Sequence, residues 1–166
     1  LAMGPDKRLK LVANLPYNIA SPLVIELLIC GVEHLAFTVQ KEVAFRLKAQ
    51  AGSDDYGPLT VMAQLLAEVR VDRILPAQAF WPAPKIESAL VLMKRNDRLG
   101  EDARPFGQFV QTLFASRRKM LRKALQQAGY EDAEGLLQSL AIDPQQRPEM
   151  LAPGELLRLY REMGGR

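Results

Sequence analysis

The chain is poor in the residues that most often announce a site. Its 166 residues include one cysteine, one histidine and one tryptophan. The single Cys30 excludes an internal disulfide and any cysteine-built zinc cluster. The single His34 excludes a histidine-rich metal centre and leaves a histidine-dependent triad hard to assemble. Asp54 and Asp55 form an acidic pair without a plausible third ligand, so no metal is expected. No apolar run approaches the roughly 20 residues of a membrane span, and the N-terminus has no signal-peptide apolar core. A cytoplasmic protein with no membrane partner is the expectation. What is present is ordinary for a globular fold: 48% hydrophobic residues, 25% charged residues and a net charge of +3. A chain this long buries roughly 70% of its unfolded surface, enough for a sizeable core.

The first half alternates strand and helix signals. Leu9 to Ala13 reads as a strand, with Asn14-Leu15-Pro16-Tyr17-Asn18 as the loop after it. Ser21 has the character of an N-cap, with Pro22 at the first helical position of an apolar helix that runs to Cys30 and ends at Gly31. Cys30, in that apolar helix, reads as core packing. Leu35 to Gln40 is a buried strand and Lys41 to Gln50 a helix with a basic outer face. Leu59 to Ala67 is a further helix, Val69 to Leu75 an outer strand and Ser88 to Met93 another strand. Between the last two lies a proline-rich loop, Pro76 to Lys85. This alternation implies a three-layer α/β sheet up to about Arg98. Beyond a polar linker the pattern becomes helical, with Phe106, Phe109, Val110, Leu113, Phe114, Leu121 and Leu125 on one apolar stripe.

Three segments carry chemistry. Asn14-Leu15-Pro16-Tyr17 follows the C-terminal end of a strand, where open α/β sheets bind their ligands. The residue types suit methylation of an exocyclic amine. The N6 lone pair of adenine is delocalised into its ring and is a poor nucleophile. An amide oxygen and a backbone carbonyl accepting the two N6 hydrogens draw that pair out of conjugation. A tyrosine ring stacks on the extruded base. The plainer reading of the same four residues is a capped strand-to-helix loop. Phe80, in the rigid proline loop, either closes the second face of a base or plugs the junction of two elements, and Trp81 is the better plug. Arg117-Arg118-Lys119-Met120-Leu121-Arg122-Lys123 holds five bases and no acid. At helical spacing Arg118 and Arg122 share a face, as do Lys119 and Lys123, which suits a polyanion or a simple solvated surface.

These segments, with Gln40-Lys41-Glu42-Val43-Ala44, Tyr56-Gly57-Pro58-Leu59, Phe80-Trp81-Pro82-Ala83-Pro84-Lys85-Ile86-Glu87-Ser88, Phe114-Ala115-Ser116-Arg117 and Ile142-Asp143-Pro144, stand in a recognisable order. In that order the chain resembles the KsgA-type small-subunit ribosomal RNA adenine N6,N6-dimethyltransferases. The resemblance implies the C-terminal part of a Rossmann-like class I methyltransferase sheet over residues 1–98, followed by a small all-helical RNA-binding domain over residues 99–166. It implies S-adenosylmethionine as methyl donor and dimethylation of two adjacent adenosines near the 3′ end of small-subunit rRNA. The partner implied is the assembling 30S-type subunit, with a part in its biogenesis. Asn14 becomes both an adenine ligand and a cofactor contact, the Leu15 and Pro16 backbone holds N6, and Tyr17 and Phe80 sandwich the base. Lys41, Arg46, Arg117, Arg118, Lys119, Arg122 and Lys123 become phosphate contacts.

The sequence departs from that pattern in lacking the glycine-rich cofactor loop and the acidic ribose ligand. The expectation is an N-terminally truncated member, inactive alone, with most of the cofactor site outside it. A sheet truncated in this way leaves the Leu9–Ala13 edge open to self-association, which sedimentation velocity would register as a concentration-dependent mass. Two other readings stay open: a non-catalytic RNA-binding assembly factor, and a relative that methylates large-subunit rRNA.

Overall fold

The structure is a computed structural model and describes residues 9–116 and 118–164. The described residues form two compact units, one within residues 9–48 and 63–98, the other within residues 49–62, 99–116 and 118–164. Among the described residues no helix is long and apolar enough to cross a membrane.

The first unit is built on a four-stranded sheet. Its strands are β1 (Lys10–Asn14), β2 (His34–Gln40), β3 (Ala67–Leu75) and β4 (Ser88–Arg95), in the spatial order β1-β2-β4-β3. β1 and β2 are parallel, while β4 runs antiparallel to both its neighbours. Helices α1 (Tyr17–Ile29) and α2 (Lys41–Leu47) flank β2 in sequence, and α3 (Pro58–Leu66) leads into β3. Strict alternation decides which face is packed. Leu35, Phe37 and Val39 of β2 and Ala89, Val91 and Met93 of β4 are buried on one face. Each of these side chains except that of Ala89 contributes on the order of 1.5–3 kcal/mol by leaving water. On the opposite face the β2 residues are only half-buried, and Val12 of β1 is 85% exposed. A shallow hollow of about 450 Å³ opens there, lined by Lys10, Val12, His34 and Lys94 among others. The outer edge of β1 has no paired strand among the described residues.

Two local expectations need correction. The helix expected to have Pro22 as its first residue starts at Tyr17, five residues earlier. The carbonyl of Pro16 accepts from the amides of Ile19 (3.2 Å) and Ala20 (3.1 Å), which opens the helix before Ser21 is reached. Pro22 therefore lies inside α1, on its exposed side, and deprives only Asn18 of a helical donor. Cys30, expected in the core, is the exposed C-cap of α1. Gly31 ends the helix as expected, at φ +91°, where the Val32 amide bonds to the Leu27 carbonyl at 2.9 Å and the Gly31 amide to Leu28 at 3.1 Å.

The second unit contains α4 (Ala103–Ala115), α5 (Leu121–Gln127), α6 (Ala133–Ser139) and α7 (Pro153–Glu162). Its centre is aromatic. Phe106 meets Tyr160 edge-on at 5.3 Å between ring centroids, Phe109 lies 5.4 Å from Tyr160, and Tyr56 lies 6.0 Å from Phe114. The buried Tyr56 hydroxyl donates to the Leu151 carbonyl at 2.7 Å. Burial, reinforced by the Glu155 carboxylate, holds that phenol above its ordinary pKa and keeps it a donor. Glu155 itself accepts from the Ala152 amide at 2.8 Å and closes the start of α7.

The end of α6 repeats the arrangement that ends α1, but with alanine in the left-handed position. Ala141 sits at φ +56°, its amide bonded to Gln138 at 3.0 Å and the next amide, of Ile142, to Leu137 at 2.9 Å. An L-residue there costs roughly 1–2 kcal/mol, whereas glycine loses only its extra unfolded-chain freedom, about 0.4–1 kcal/mol. Ala141→Gly is therefore expected to stabilise the helical unit by roughly 0.5–1 kcal/mol in urea unfolding. An unchanged or lowered midpoint contradicts this.

Candidate functional site

The corner between β1 and α1 is only two residues long. Leu15 is buried and pins it to the core, while Pro16 is exposed with φ −59° and ψ 130°. The two carbonyls of this corner have different fates. That of Pro16 is taken up by the first turn of α1. That of Leu15, one residue earlier, accepts no backbone hydrogen bond from the described residues. Of the two backbone groups the sequence suggests, only Leu15 offers an uncommitted acceptor.

Asn14 is the last residue of β1 and lies opposite Thr38 in the parallel pairing with β2. The Thr38 hydroxyl donates to Asn14 Oδ1. This bond ties the amide to the neighbouring strand and restricts how its plane is turned. A carbonyl oxygen carries two lone pairs, so one remains for a ligand. Tyr17, the first residue of α1, is half-buried, and its phenol oxygen lies 2.6 Å from Ser88 Oγ. Ser88 is fully buried at the start of β4, directly behind the proline-rich loop. The ring of Tyr17 is thus tied to the strand that carries that loop.

The loop turns through a short 3₁₀ segment, Ala77–Ala79, and delivers Phe80 in extended backbone, φ −122° and ψ 151°. Its far end is clasped to the end of β2. The Lys41 amide donates to the Glu87 carbonyl at 3.1 Å, and Lys41 Nζ donates to the Glu87 carboxylate at 2.8 Å. The result is a cavity of about 310 Å³ with Asn14, Leu15, Pro16 and Tyr17 on one side and Phe80, Trp81, Pro82 and Pro84 on the other. That volume is at the low end of the range for small-ligand sites, roughly 300–1,000 Å³. All five residues expected from the sequence, Asn14, Leu15, Pro16, Tyr17 and Phe80, line this one cavity. Trp81 is not the plug it was expected to be: its side chain is 98% exposed. It lies in a bend outside the sheet, between Phe80 and Pro82. Thr38 and Ser88 escaped the sequence reading. Their signals were a lone hydroxyl in an otherwise apolar strand and a serine closing the proline motif.

The sequence profile of the ribosomal RNA adenine dimethylase family matches residues 3–164. The chain belongs to that family. It is 42% identical over 164 residues to a "Ribosomal RNA small subunit methyltransferase A" of Rubrobacter xylanophilus, an alignment covering 98% of this chain and 62% of the relative. A protein of the same name from Anaeromyxobacter dehalogenans is 40% identical over 171 residues, covering 98% of this chain and 60% of its own. The chain thus spans about three-fifths of the length of these dimethylase relatives. Among solved structures, a dimethyladenosine transferase from Plasmodium falciparum superposes with a TM-score of 0.81 at 21% identity, over 99% of this chain and 69% of that one. The 23S rRNA methyltransferase ErmE gives 0.66 at 23% identity, over 98% and 68%. These two likenesses show the fold: the sheet is that of the class I methyltransferases.

The basic residues of this dimethylase chain do not form the single helical face expected for them. Arg117 lies outside the described residues. Arg118 and Lys119 stand in the turn between α4 and α5, so only Arg122 and Lys123 are helical. Helix α4 stops at Ala115 because the Ser116 amide turns back to Leu113 and the Lys119 amide to Ser116 (2.8 Å), which breaks the α register. Three of the expected phosphate ligands face carboxylates: Lys41 with Glu87 (2.8 Å), Arg46 with Glu42 (2.6 Å) and Arg122 with Glu134 (2.8 Å). Arg118, Lys119 and Lys123 are exposed. Surface pairs of this kind are worth ~0–1 kcal/mol and yield to a phosphate, but Lys41 also serves the loop clasp.

Removal of one hydroxyl tests the tie between Tyr17 and the loop. Ser88→Ala leaves the phenol without its buried partner, and Tyr17→Phe leaves Ser88 without its own. Each is expected to lower stability by about 1–2 kcal/mol, and the double variant by no more than the worse single. Additive losses in urea unfolding contradict a direct bond.

Proposed function

We propose that this chain supplies the adenine-binding half of an rRNA adenine N6,N6-dimethyltransferase acting on small-subunit rRNA, with the assembling small subunit as its partner. One observation carries the reading: Asn14 and Leu15, at the end of β1, line a single cavity with Tyr17 and Phe80, and Thr38 holds the Asn14 amide. An exocyclic amine has two hydrogens, and Asn14 Oδ1 and the Leu15 carbonyl are two acceptors one residue apart. With both hydrogens held, the lone pair is drawn out of conjugation with the ring, and the aromatic rings fix the base that bears it. Names of relatives at about 40% identity favour the small-subunit branch over a large-subunit one. Adjacent adenosines near the 3′ end of the rRNA are the substrate by the same resemblance.

S-adenosylmethionine, the donor this chemistry requires, supplies an electrophilic methyl when bound. The described residues fit only its margin. No glycine-rich loop follows a strand, since the β1 corner is Leu15-Pro16 and the loop after β3 is built on Pro76, Pro82 and Pro84. By the family resemblance Asn14 is the residue that would touch both base and cofactor. The remaining cradle lies outside the described residues, and the chain alone is expected to be inactive.

Methyl transfer to immature small subunits, read as N6,N6-dimethyladenosine by mass spectrometry, is the test. The chain is supplied alone and joined to the N-terminal part of its Rubrobacter xylanophilus relative. Product is expected only from the joined protein, and Asn14→Ala is expected to lower it by roughly 10²–10³-fold, the scale for losing one transition-state hydrogen bond. Full activity of Asn14→Ala overturns the adenine site, and product from the chain alone overturns the placement of the cofactor cradle.

RNA contact by Arg118, Lys119 and Lys123 is read from salt dependence. Each phosphate ligand adds about 0.7–0.9 to the slope of log K against log salt. The triple alanine variant is expected to flatten that slope by roughly 2–3. An unchanged slope removes the α4–α5 turn from the interface.

A further inference from the structure

Trp81 is the largest apolar side chain on the surface of the first unit and the only tryptophan in the chain, and it is 98% exposed. Its exposure is not that of a floppy loop. The preceding turn is bonded at Ala79 to Pro76 (3.0 Å) and at Phe80 to Ala77 (3.2 Å). Pro82 and Pro84 fix the backbone after it. The Lys41–Glu87 clasp and the Ser88–Tyr17 bond hold the loop's far end. With the backbone held, binding has only the side-chain torsions of the ring left to immobilise.

Position narrows what the ring can meet. Trp81 borders the same cavity as Tyr17 and Phe80. Phe80 has extended backbone, and the two neighbouring rings differ sharply in burial. Phe80 is half-buried against the cavity, and Trp81 faces outward from its rim. Lys85, four residues further along the same loop, is exposed and supplies positive charge for a backbone phosphate. Aromatic surface with a cation in the same loop is the combination that takes single-stranded nucleic acid.

We propose that Trp81 stacks on the base adjacent to the captured adenine and so holds the flanking nucleotide while its neighbour occupies the cavity. This inference rests on the adenine-binding reading above and adds a second base site to it. The indole is a specificity element for single-stranded RNA, distinct from the residues that handle N6.

Because the chain has one tryptophan, its emission reports this position without labelling. The chain is titrated with a short single-stranded RNA carrying adjacent adenosines, following emission and acrylamide quenching, with a second RNA made abasic at the flanking position. Expected are a change in indole emission, a fall in acrylamide access, and loss of both with the abasic RNA. Trp81→Ala is expected to weaken binding roughly 5- to 140-fold, the range for one stacked base, and to be insensitive to the abasic site. If RNA binds and Tyr17→Ala weakens it, but Trp81 emission and Trp81→Ala affinity are unmoved, the proposal fails and the adenine reading stands. If RNA quenches Trp81 while Tyr17→Ala has no effect, the indole does not neighbour a captured adenine and the proposal fails with that reading. Absence of any RNA binding overturns both. Protection of the indole that grows with protein concentration in the absence of RNA assigns the ring to a second copy of the chain and overturns the proposal.

Discussion

The site depends on how abruptly β1 becomes α1. A two-residue corner leaves room for only one carbonyl between the last strand bond and the first helix bond. Leu15 anchors the corner in the core, Pro16 fixes its φ, and the first turn of α1 consumes the Pro16 carbonyl at 3.1–3.2 Å. What remains is a single backbone acceptor, beside the amide of Asn14. A longer loop would satisfy its own carbonyls or surrender them to water. Everything else in the first unit serves to hold partners against this corner. Thr38 orients Asn14 from the neighbouring strand, and Ser88 fixes Tyr17 from the next one. The clasp between Lys41 and Glu87 brings the loop of Phe80 across.

That division of labour explains why the sheet is mixed in direction. The parallel β1–β2 pair places Asn14 and Thr38 at the same C-terminal edge. The antiparallel β4 begins at that edge, opposite Gln40, and so delivers Ser88 and the loop before it to the same place. A parallel β4 would have ended there and carried its preceding loop to the far side of the sheet.

The sequence disclosed the elements and the chemistry-bearing residues better than it disclosed their couplings. Alternation in β2 and β4 and the aromatic stripe of α4 were readable because burial on one face imposes a period. The start of α1 was misread because Ser21-Pro22 satisfies every local rule for a helix start, and only the hydrogen bonds of Pro16 show that the helix was already under way. Cys30 and Trp81 were misplaced for a shared reason: hydrophobic character states what a side chain prefers, not whether the backbone lets it reach a core. The basic run lost its helical face at Ser116, where no proline or glycine marks the break. Its pairing of Arg122 with Glu134 joins residues on separate helices and leaves no local trace. Thr38 and Ser88 act across strands, and such contacts become visible only when register is known.

The central claim is that Asn14 Oδ1 and the Leu15 carbonyl bind the two N6 hydrogens of an adenine. Binding of the chain to matched RNAs carrying adenosine or N6,N6-dimethyladenosine at the same position measures this most directly, since the second base keeps the rings but has no N6 hydrogens. The account predicts that adenosine binds at least ~10-fold tighter, on the scale of one to two hydrogen bonds left unmade, and that Asn14→Ala removes a large part of the difference. Equal affinity for the two RNAs contradicts it.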